Sequence, residues 1–235
     1  MQVTWIDNLL QPGRELRSTG DELLCALGPD DRGSPYNRRQ AAMYDRVVGS
    51  GLHNRLLWGV SPKSYGTFAQ AALVAGQGPL LDVGCGSAVF TAAAYRTTER
   101  PLVLVDRSLG MLARAAQRLL GRAEVVFVQA DLFDLPFLPG QFTTVACHGL
   151  LHLFDDVDQV LLALRAQVAP GGSLYVTSLV AETVIGSRGL GLLHRAGEAA
   201  VPRRQADLVI AAHATLGDAI QIRREGSMLF LSAVL

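Results

Sequence analysis

This sequence of 235 residues lacks charge imbalance, paired cysteines and long apolar runs. Lysine plus arginine and aspartate plus glutamate each number 21, so the formal net charge is zero. No overall field therefore attracts the chain to phosphate backbones, which argues against nucleic acid as a partner. The three cysteines, Cys25, Cys85 and Cys147, form no Cys-x-x-Cys pair, so the sequence predicts neither a disulfide framework nor a metal site.

Membrane and secretion segments are also missing. No run approaches the roughly 18 consecutive apolar residues of a membrane helix. The N-terminus has no basic region followed by an apolar block, so we expect a cytoplasmic chain with no membrane span. Hydrophobic residues make up 49% of the sequence, which is ample for the core of one domain with an elaboration.

An apolar run that breaks into two closely spaced glycines organises the chain. Residues 79–87 read Pro-Leu-Leu-Asp-Val-Gly-Cys-Gly-Ser, which predicts a strand, a tight turn and the start of a helix. Gly84 and Gly86 let the backbone approach a ligand where a Cβ would clash, and Ser87 is predicted to cap the helix. This arrangement is typical of a nucleotide-binding corner, although one Gly-x-Gly is a weak signal.

Two further apolar runs lead to aspartates, Asp106 and Asp131. Asp106 lies 20 residues after Gly86 (106 − 86), the spacing at which an acidic residue meets ribose hydroxyls in a nucleotide-binding half. A carboxylate at Asp131, one strand further out, can accept a hydrogen bond from an adenine amino group. Dinucleotide dehydrogenases do not usually need that second carboxylate, so it favours a different adenosyl ligand.

Four motifs follow one another in the chain, at residues 81–86, 105–112, 130–132 and 169–174. In this order they resemble the motifs of the class I S-adenosylmethionine-dependent methyltransferases. They are most similar to the small-molecule branch typified by ubiquinone and menaquinone biosynthesis C-methyltransferases. Four ordered motifs are far more specific than one. The sequence departs from the pattern at Ala88, where the family often has a third glycine.

The resemblance implies an α/β, Rossmann-like class I methyltransferase fold. It implies a mostly parallel seven-stranded sheet, an antiparallel last strand and an N-terminal helical cap. We divide the chain into a cap and substrate-gating segment, 1–78, and an S-adenosylmethionine-binding core, 79–235.

Apolar periodicity places the elements of this fold along the chain. Strands are expected near 80, 102, 125, 143 and 174, followed by a closing hairpin of 219–224 and 228–234. Helices are expected over 21–27, 62–75, 88–97, 108–120, 157–168 and 205–216. The stretch after Val180, with three glycines, is predicted to be a connecting region.

The resemblance also implies S-adenosylmethionine as cofactor, with S-adenosylhomocysteine as product. Asp82 would anchor the loop or the donor's amino group, and Gly84 and Gly86 would let the backbone pass its methionine part. Asp106 would bind the ribose hydroxyls. The remaining implied donor contacts are Met111 on one adenine face, Asp131 and the Leu132 backbone N–H at the adenine edge, and Tyr36, Tyr44, Cys85, Arg107, Cys147 and His148.

Two histidines after the fourth core strand are candidates for catalysis. His152 falls on a histidine common in that branch, where a neutral imidazole could remove a proton from the acceptor. The alternative is that His152 hydrogen-bonds the backbone and shapes the loop. His148 could contact either donor or acceptor. A dedicated base is dispensable because S-adenosylmethionine already carries an activated methyl group.

The function predicted is in-line methyl transfer to a small organic acceptor through an O, N or C nucleophile, by a monomer or homodimer. One alternative is a protein that binds S-adenosylmethionine without transferring its methyl group. A less favoured alternative is an NAD-dependent oxidoreductase. The Gly-x-Gly-x-x-Gly motif of that class requires a third glycine at the position of Val89, and that class would give Asp131 no role.

Overall fold

The computed structural model describes residues 5–20, 22–34, 45 and 49–235, and the structural statements below concern these residues. The predicted donor contacts Tyr36 and Tyr44 lie outside them. Nine strands are present in the described part of the chain. They are β1 (Arg17–Ser18), β2 (Leu23–Cys25), β3 (Leu80–Val83), β4 (Leu102–Asp106), β5 (Val125–Gln129), β6 (Phe142–Cys147), β7 (Val168–Leu179), β8 (Ile220–Glu225) and β9 (Met228–Val234).

The strands form one sheet in the order β1-β2-β5-β4-β3-β6-β7-β9-β8. The run from β2 to β7 in this order is parallel, whereas β9 is antiparallel to both β7 and β8. The prediction of an α/β fold with a mostly parallel sheet is therefore confirmed, including the closing hairpin and the antiparallel last strand. The two short strands β1 and β2 are added to the seven that were expected.

Seven α-helices are described, several of them capped by a side chain at the N-terminus. They are α1 (Gly51–His53, continued by a π-helical turn, Asn54–Trp58), α2 (Pro62–Val74), α3 (Ala92–Tyr95), α4 (Leu109–Arg118), α5 (Val157–Gln167), α6 (Val184–Arg195) and α7 (Gln205–Leu216). Ser61, Ser108 and Asp156 each accept a hydrogen bond from a backbone N–H in the first turn of α2, α4 and α5. No described helix is long and apolar enough to cross a membrane.

The prediction of a helix over 21–27 is wrong. Leu23 and Cys25 are buried on alternate positions of β2, which pairs in parallel with β5. A two-residue burial period suits a strand, and a neighbouring sheet edge supplies the hydrogen bonds that a three-residue strand cannot make alone.

The prediction of a connecting region after Val180 is also wrong, because α6 occupies it. Thr183 caps this helix by accepting a hydrogen bond from Gly186 N at 3.0 Å. A Cβ at Gly186 would overlap the side chain of Ser227, and one at Gly189 would lie 3.1 Å from the Trp58 ring. These glycines therefore permit close packing of the helix and do not mark a break in it.

Apolar side chains cover both faces of the sheet. On one face, Leu81 and Val83 join a cluster with side chains of α5 and α7. On the other face, Leu80 joins a cluster with side chains of α2 and α4. With both faces covered, the carboxyl ends of β3, β4, β5 and β6 form the accessible edge at which α/β folds of this kind bind ligands.

Candidate functional site

The glycine turn after β3 is held open by backbone hydrogen bonds. Gly84 N and Cys85 N both donate to Val105 O, at 2.8 and 3.0 Å. Gly86 has a φ of +54° and no atom within 4 Å of the place where a Cβ would stand. The backbone at Gly86 therefore borders open space, as required for the close approach of a ligand. Gly84 is different, since a Cβ there would lie 2.9 Å from Leu150.

Asp106 ties this turn to the next strand and helix. Its Oδ2 accepts a hydrogen bond from Gly86 N at 2.9 Å, and its Oδ1 accepts one from Ser108 N at 2.8 Å. Burial raises the pKa of this carboxyl above its usual value, while the two backbone hydrogen bonds act in the opposite direction. The carboxylate thus fixes the geometry of the glycine turn and stands at the same sheet edge.

Asp82 is completely buried beneath the turn. Its Oδ2 accepts a hydrogen bond from the Tyr95 hydroxyl at 2.8 Å, whereas its Oδ1 is buried without a partner. The pKa of Asp82 is raised to about 7, chiefly by burial and also by the nearby Asp106 charge, against the opposing effect of the hydrogen bond from Tyr95. An unpartnered buried carboxylate oxygen is costly, so it indicates a position that a ligand's donor group can occupy.

We expect the Asp82→Asn variant to show a flatter dependence of stability on pH than the wild type. The folded pKa of about 7 exceeds the ordinary value of 3.8. The contribution of Asp82 is therefore fully present below about pH 4 and is lost as the pH rises through 7. Asparagine cannot ionise, so its stability relative to the wild type should improve from pH 5 to pH 8 by a few kcal/mol, on the order of the linkage energy for such a shift.

Denaturant unfolding at pH 5 and pH 8 measures this difference. The exposed Asp155→Asn variant is the matched control and should follow the wild type at both pH values. Parallel pH profiles for the wild type and the Asp82→Asn variant would contradict the assignment of a raised pKa to Asp82.

At the end of β5, Asp131 caps a 3-10 turn, Leu132–Asp134, by accepting a hydrogen bond from Phe133 N at 2.8 Å. Its other oxygen is ion-paired with Arg107, which follows β4. The structure thus brings Asp131 and Arg107 together at the edge where Asp106 lies. The capping role of Asp131 and the predicted adenine contact use the same residue and do not exclude each other.

Met111, Leu132 and Cys147 are buried at this edge. Met111 N donates to the Ser108 cap at 3.1 Å, which places the methionine in the first turn of α4. Burial raises the pKa values of the Cys85 and Cys147 thiols, so both stay protonated at neutral pH. No group of three or more His, Cys, Asp or Glu side chains within the described ranges could hold a metal ion.

The two histidines occupy different surroundings. His148 follows β6, and its ring meets the Phe68 ring edge-on at 5.9 Å between centroids. Both of its ring nitrogens are buried without a hydrogen-bond partner. His152 lines a narrow crevice with Ser178, Leu190 and neighbouring residues, and its Nδ1 is likewise unpartnered. Burial lowers the pKa of each imidazole to about 4.

Ser87 does not cap a helix, contrary to the prediction. The Thr91 position begins α3 instead, and the buried Ser87 hydroxyl donates to Asp45. Arg118 donates to the same carboxylate at 2.7 Å, and Arg114 pairs with it as well. Burial raises the pKa of Asp45, but the hydrogen bonds from Ser87 and the two arginines outweigh it and lower the pKa.

Sequence reasoning missed this Asp45 cluster. The available signal was the pair Arg114 and Arg118, one turn apart on α4, which brings two cations to one side of the helix. Such a pair requires a carboxylate partner when it is partly buried, but the pattern does not say which one. In the structure the cluster ties Asp45, from the segment before the core, to the glycine turn.

The family model described as a methyltransferase domain matches residues 81–176. An uncharacterized protein of Synechococcus is 36% identical over 119 residues, 49% of this chain and 28% of that protein. A demethylmenaquinone methyltransferase of Clavibacter sepedonicus is 31% identical over 148 residues, 58% of this chain and 56% of that enzyme. The chain spans only 28% to 58% of the length of the curated relatives it matches.

Solved structures share the fold. Phosphoethanolamine N-methyltransferase 2 of Haemonchus contortus, in complex with S-adenosylmethionine, superposes with a TM-score of 0.67 at 16% identity. The match covers 86% of this chain and 58% of that one. At this identity the likeness shows the fold alone, and it agrees with the strand order and the glycine turn. Residues 81–176 thus match a methyltransferase-domain family, and the solved structures share the fold of the chain.

Proposed function

We propose that this protein transfers a methyl group from S-adenosylmethionine to a small organic acceptor. The observation that carries the proposal is the convergence of the Gly84–Gly86 turn, Asp82, Asp106 and Asp131 on one edge of the parallel sheet. S-adenosylmethionine supplies a methyl group activated on a sulfonium sulfur, which an O, N or C nucleophile attacks in line. The protein's task is therefore to align two partners at about 3 to 3.5 Å and to exclude water.

The residues at the edge suit the parts of this cofactor. The open space at Gly86 admits a ligand against the backbone, and the unpartnered Asp82 Oδ1 suits an ammonium group. Asp106 stands at the end of β4, where it would accept hydrogen bonds from the ribose hydroxyls. Asp131 and the Leu132 backbone N–H would bind the adenine edge, and Met111 would pack on its face. Cys85, Arg107 and Cys147 would complete the pocket wall.

The acceptor side of the site is apolar and aromatic. Phe68 lies against Tyr175 and Phe230, with ring centroids 5.1 and 5.2 Å apart, and against His148. Such a wall favours a small apolar or aromatic acceptor with one polar reacting group. The unpartnered nitrogens of His148 would orient that group. His152 would act from the neighbouring crevice, as base or as a shaping residue of the loop.

We expect His148→Ala to lower kcat/KM for the acceptor by about 100-fold, the lower end of the range for a positioned acid or base. The dissociation constant for S-adenosylhomocysteine should change little. Burial lowers the pKa of the imidazole to about 4. As the pH is lowered, the wild-type kcat/KM should therefore fall near pH 4 and not near pH 6.5. A pH profile of kcat/KM measures this, with His213→Ala, an exposed histidine on α7, as the control. Wild-type kcat/KM in the His148→Ala variant would remove His148 from the reaction.

Production of S-adenosylhomocysteine tests the proposed function directly. The protein is incubated with S-adenosylmethionine and a panel of small phenols, primary amines, quinols and 1,3-diketones, and the product is followed by ultraviolet detection after chromatography. Acceptor-dependent product formation supports methyl transfer. Thermal shift with S-adenosylmethionine against NAD separates this proposal from an oxidoreductase.

The second candidate function is binding of S-adenosylmethionine without methyl transfer. For acceptors that must lose a proton before attack, the low pKa of both histidines favours it, because a weakly basic imidazole is a poor proton acceptor. Tight binding of S-adenosylhomocysteine, with no product from any acceptor class, would favour this candidate.

We further propose that the protein acts on small molecules in a biosynthetic reaction in the cytoplasm, as a monomer or homodimer. Residues 1–78 would control access of the acceptor to the site.

A further inference from the structure

We propose that Asp31 is a positioning residue for adenine recognition, because it holds Arg107 in place and Arg107 in turn orients the Asp131 carboxylate. The inference rests on the proposed function, since it takes Asp131 as the acceptor of the adenine amino group. It adds a specificity-determining contact from the segment that precedes the core, well outside the motifs of the resemblance.

The segment 26–34 crosses the carboxyl ends of β5 and β4. Ala26 N donates to Gln129 O at 2.9 Å, and Ser34 N donates to Arg107 O at 3.0 Å. Gly33 has a φ of +70°, and a Cβ there would overlap Gln129 Nε2 and Arg107 O. The segment is therefore seated directly on the edge where Asp106 and Asp131 lie.

A continuous set of charged contacts runs from this segment to the adenine edge. Arg107 Nη2 donates to both carboxylate oxygens of Asp31, at 2.9 and 3.1 Å. Arg107 Nη1 pairs with Asp131 Oδ2, while Asp131 Oδ1 accepts from Phe133 N at 2.8 Å. Asp31 is itself fixed, since its Oδ1 accepts from Gly33 N at 2.8 Å. Each member of the set is thus held by a neighbour.

These contacts are too exposed to contribute much to folding. The side chains of Asp31, Arg107 and Asp131 are 37%, 42% and 24% exposed. Ion pairs at such positions add little to the free energy of unfolding. Their consequence is orientation, because two partners share the planar guanidinium and its long side chain cannot swing toward the ligand.

Orientation of Asp131 decides which purine binds. A carboxylate oxygen accepts a hydrogen bond from the 6-amino group of adenine, but it repels the 6-oxo group of hypoxanthine. Without Asp31, Arg107 loses its bidentate partner and is free to present N–H donors to a 6-oxo group. The selectivity for adenosyl over inosyl ligands should therefore fall, more than the affinity for either.

The test compares the binding of S-adenosylhomocysteine and S-inosylhomocysteine by calorimetry at low ionic strength. In Asp31→Asn we expect the selectivity ratio, the dissociation constant of S-inosylhomocysteine divided by that of S-adenosylhomocysteine, to fall by about three- to fivefold. This is the effect of losing one exposed ion pair. The asparagine side chain is the same size and can still accept from Gly33 N, so the thermal midpoint should stay close to the wild-type value. Asp30→Asn, the neighbouring exposed aspartate, is the matched control and should keep the wild-type ratio. Arg107→Met removes the donors that a released Arg107 would present to a 6-oxo group, while Phe133 N still holds Asp131, so its ratio should fall less than that of Asp31→Asn.

The outcomes separate this inference from the function on which it rests. A wild-type protein that binds neither compound contradicts the proposed function. A wild-type protein that binds S-adenosylhomocysteine selectively, with the same ratio in Asp31→Asn, overturns the role of Asp31 and leaves the function standing. Equal weakening of both ligands in Asp31→Asn would also overturn it, because a purely structural role predicts that result.

Discussion

Replacing Asp106 by alanine is expected to raise the dissociation constant of S-adenosylhomocysteine by about 100-fold or more. In the proposed site the variant loses the charged acceptor for the ribose hydroxyls, and hydrogen bonds to charged groups contribute about 1.5 to 3 kcal/mol each. It also releases Gly86 N and Ser108 N, to which the carboxylate is bonded at 2.9 and 2.8 Å. The glycine turn therefore loses its anchor together with the ligand contact, and both changes weaken binding.

Calorimetric titration measures the dissociation constant of S-adenosylhomocysteine, and two further variants serve as comparisons. Asp106→Asn keeps one oxygen acceptor for the backbone and should fall between alanine and the wild type. Asp134→Ala removes an aspartate near the same edge that pairs with Arg14 and is 64% exposed, so its affinity should stay within about threefold of the wild type. A folded Asp106→Ala protein with wild-type affinity would refute the placement of the ribose at β4.

Arg100 has the densest hydrogen-bond set of the described side chains, at the end of the sheet opposite the candidate site. It lies two residues before β4 and is only 7% exposed. The guanidinium group donates to three carbonyls and two hydroxyls, at distances from 2.6 to 3.3 Å: Gly78 O, Ala72 O, Leu73 O, Thr143 Oγ1 and Thr144 Oγ1. It thereby satisfies free carbonyls at the C-terminus of α2 and joins that helix to β6.

Replacing Arg100 by methionine is expected to lower the free energy of unfolding by about 3 to 5 kcal/mol. Methionine fills much of the volume but leaves the five acceptors without a donor, and each buried unsatisfied group costs about 1 to 3 kcal/mol before relaxation. Denaturant unfolding at neutral pH measures the loss. A second readout is ligand binding, which should be unchanged in the folded variant because Arg100 is remote from Asp106.

Arg96→Met is the matched control for Arg100→Met. Arg96 is an exposed arginine four residues earlier, so its replacement should change the free energy of unfolding by no more than about 0.5 kcal/mol. Equal stabilities of the two variants would show that the buried network around Arg100 contributes nothing to folding.

The core of the fold was predictable because its signals are local. Apolar runs of four to six residues and the Gly84 and Gly86 turn each depend on neighbours in the chain. The two errors have separate causes. The prediction of a helix over 21–27 failed because the three-residue strand there forms its hydrogen bonds with β5, which is distant in the sequence. Helix α6 was missed because its glycines, which we interpreted as breaks, permit close packing.

Some features of the candidate site were likewise predictable from the sequence, and others were not. The sequence by itself determined that Asp82, Asp106 and Asp131 share one edge, because each lies near or just after the carboxyl end of a strand of a parallel sheet and parallel strands end together. The family comparison then matched residues 81–176 to a methyltransferase domain. Whether His148 or His152 contributes to the reaction stays a prediction, because the sequence places both in one loop.

Only the tertiary structure decided which side chains meet across long stretches of chain. Arg107 pairs with Asp31 over 76 residues, and Arg114 pairs with Asp45 over 69. Arg100 reaches Thr144 over 44 residues. Propensity and periodicity describe what a residue prefers along its own strand or helix, whereas a partner is chosen by where the folded backbone returns. Local sequence patterns therefore determined the sheet edge and its carboxylates. Only the course of the folded backbone determined which distant residues pair with the side chains at that edge.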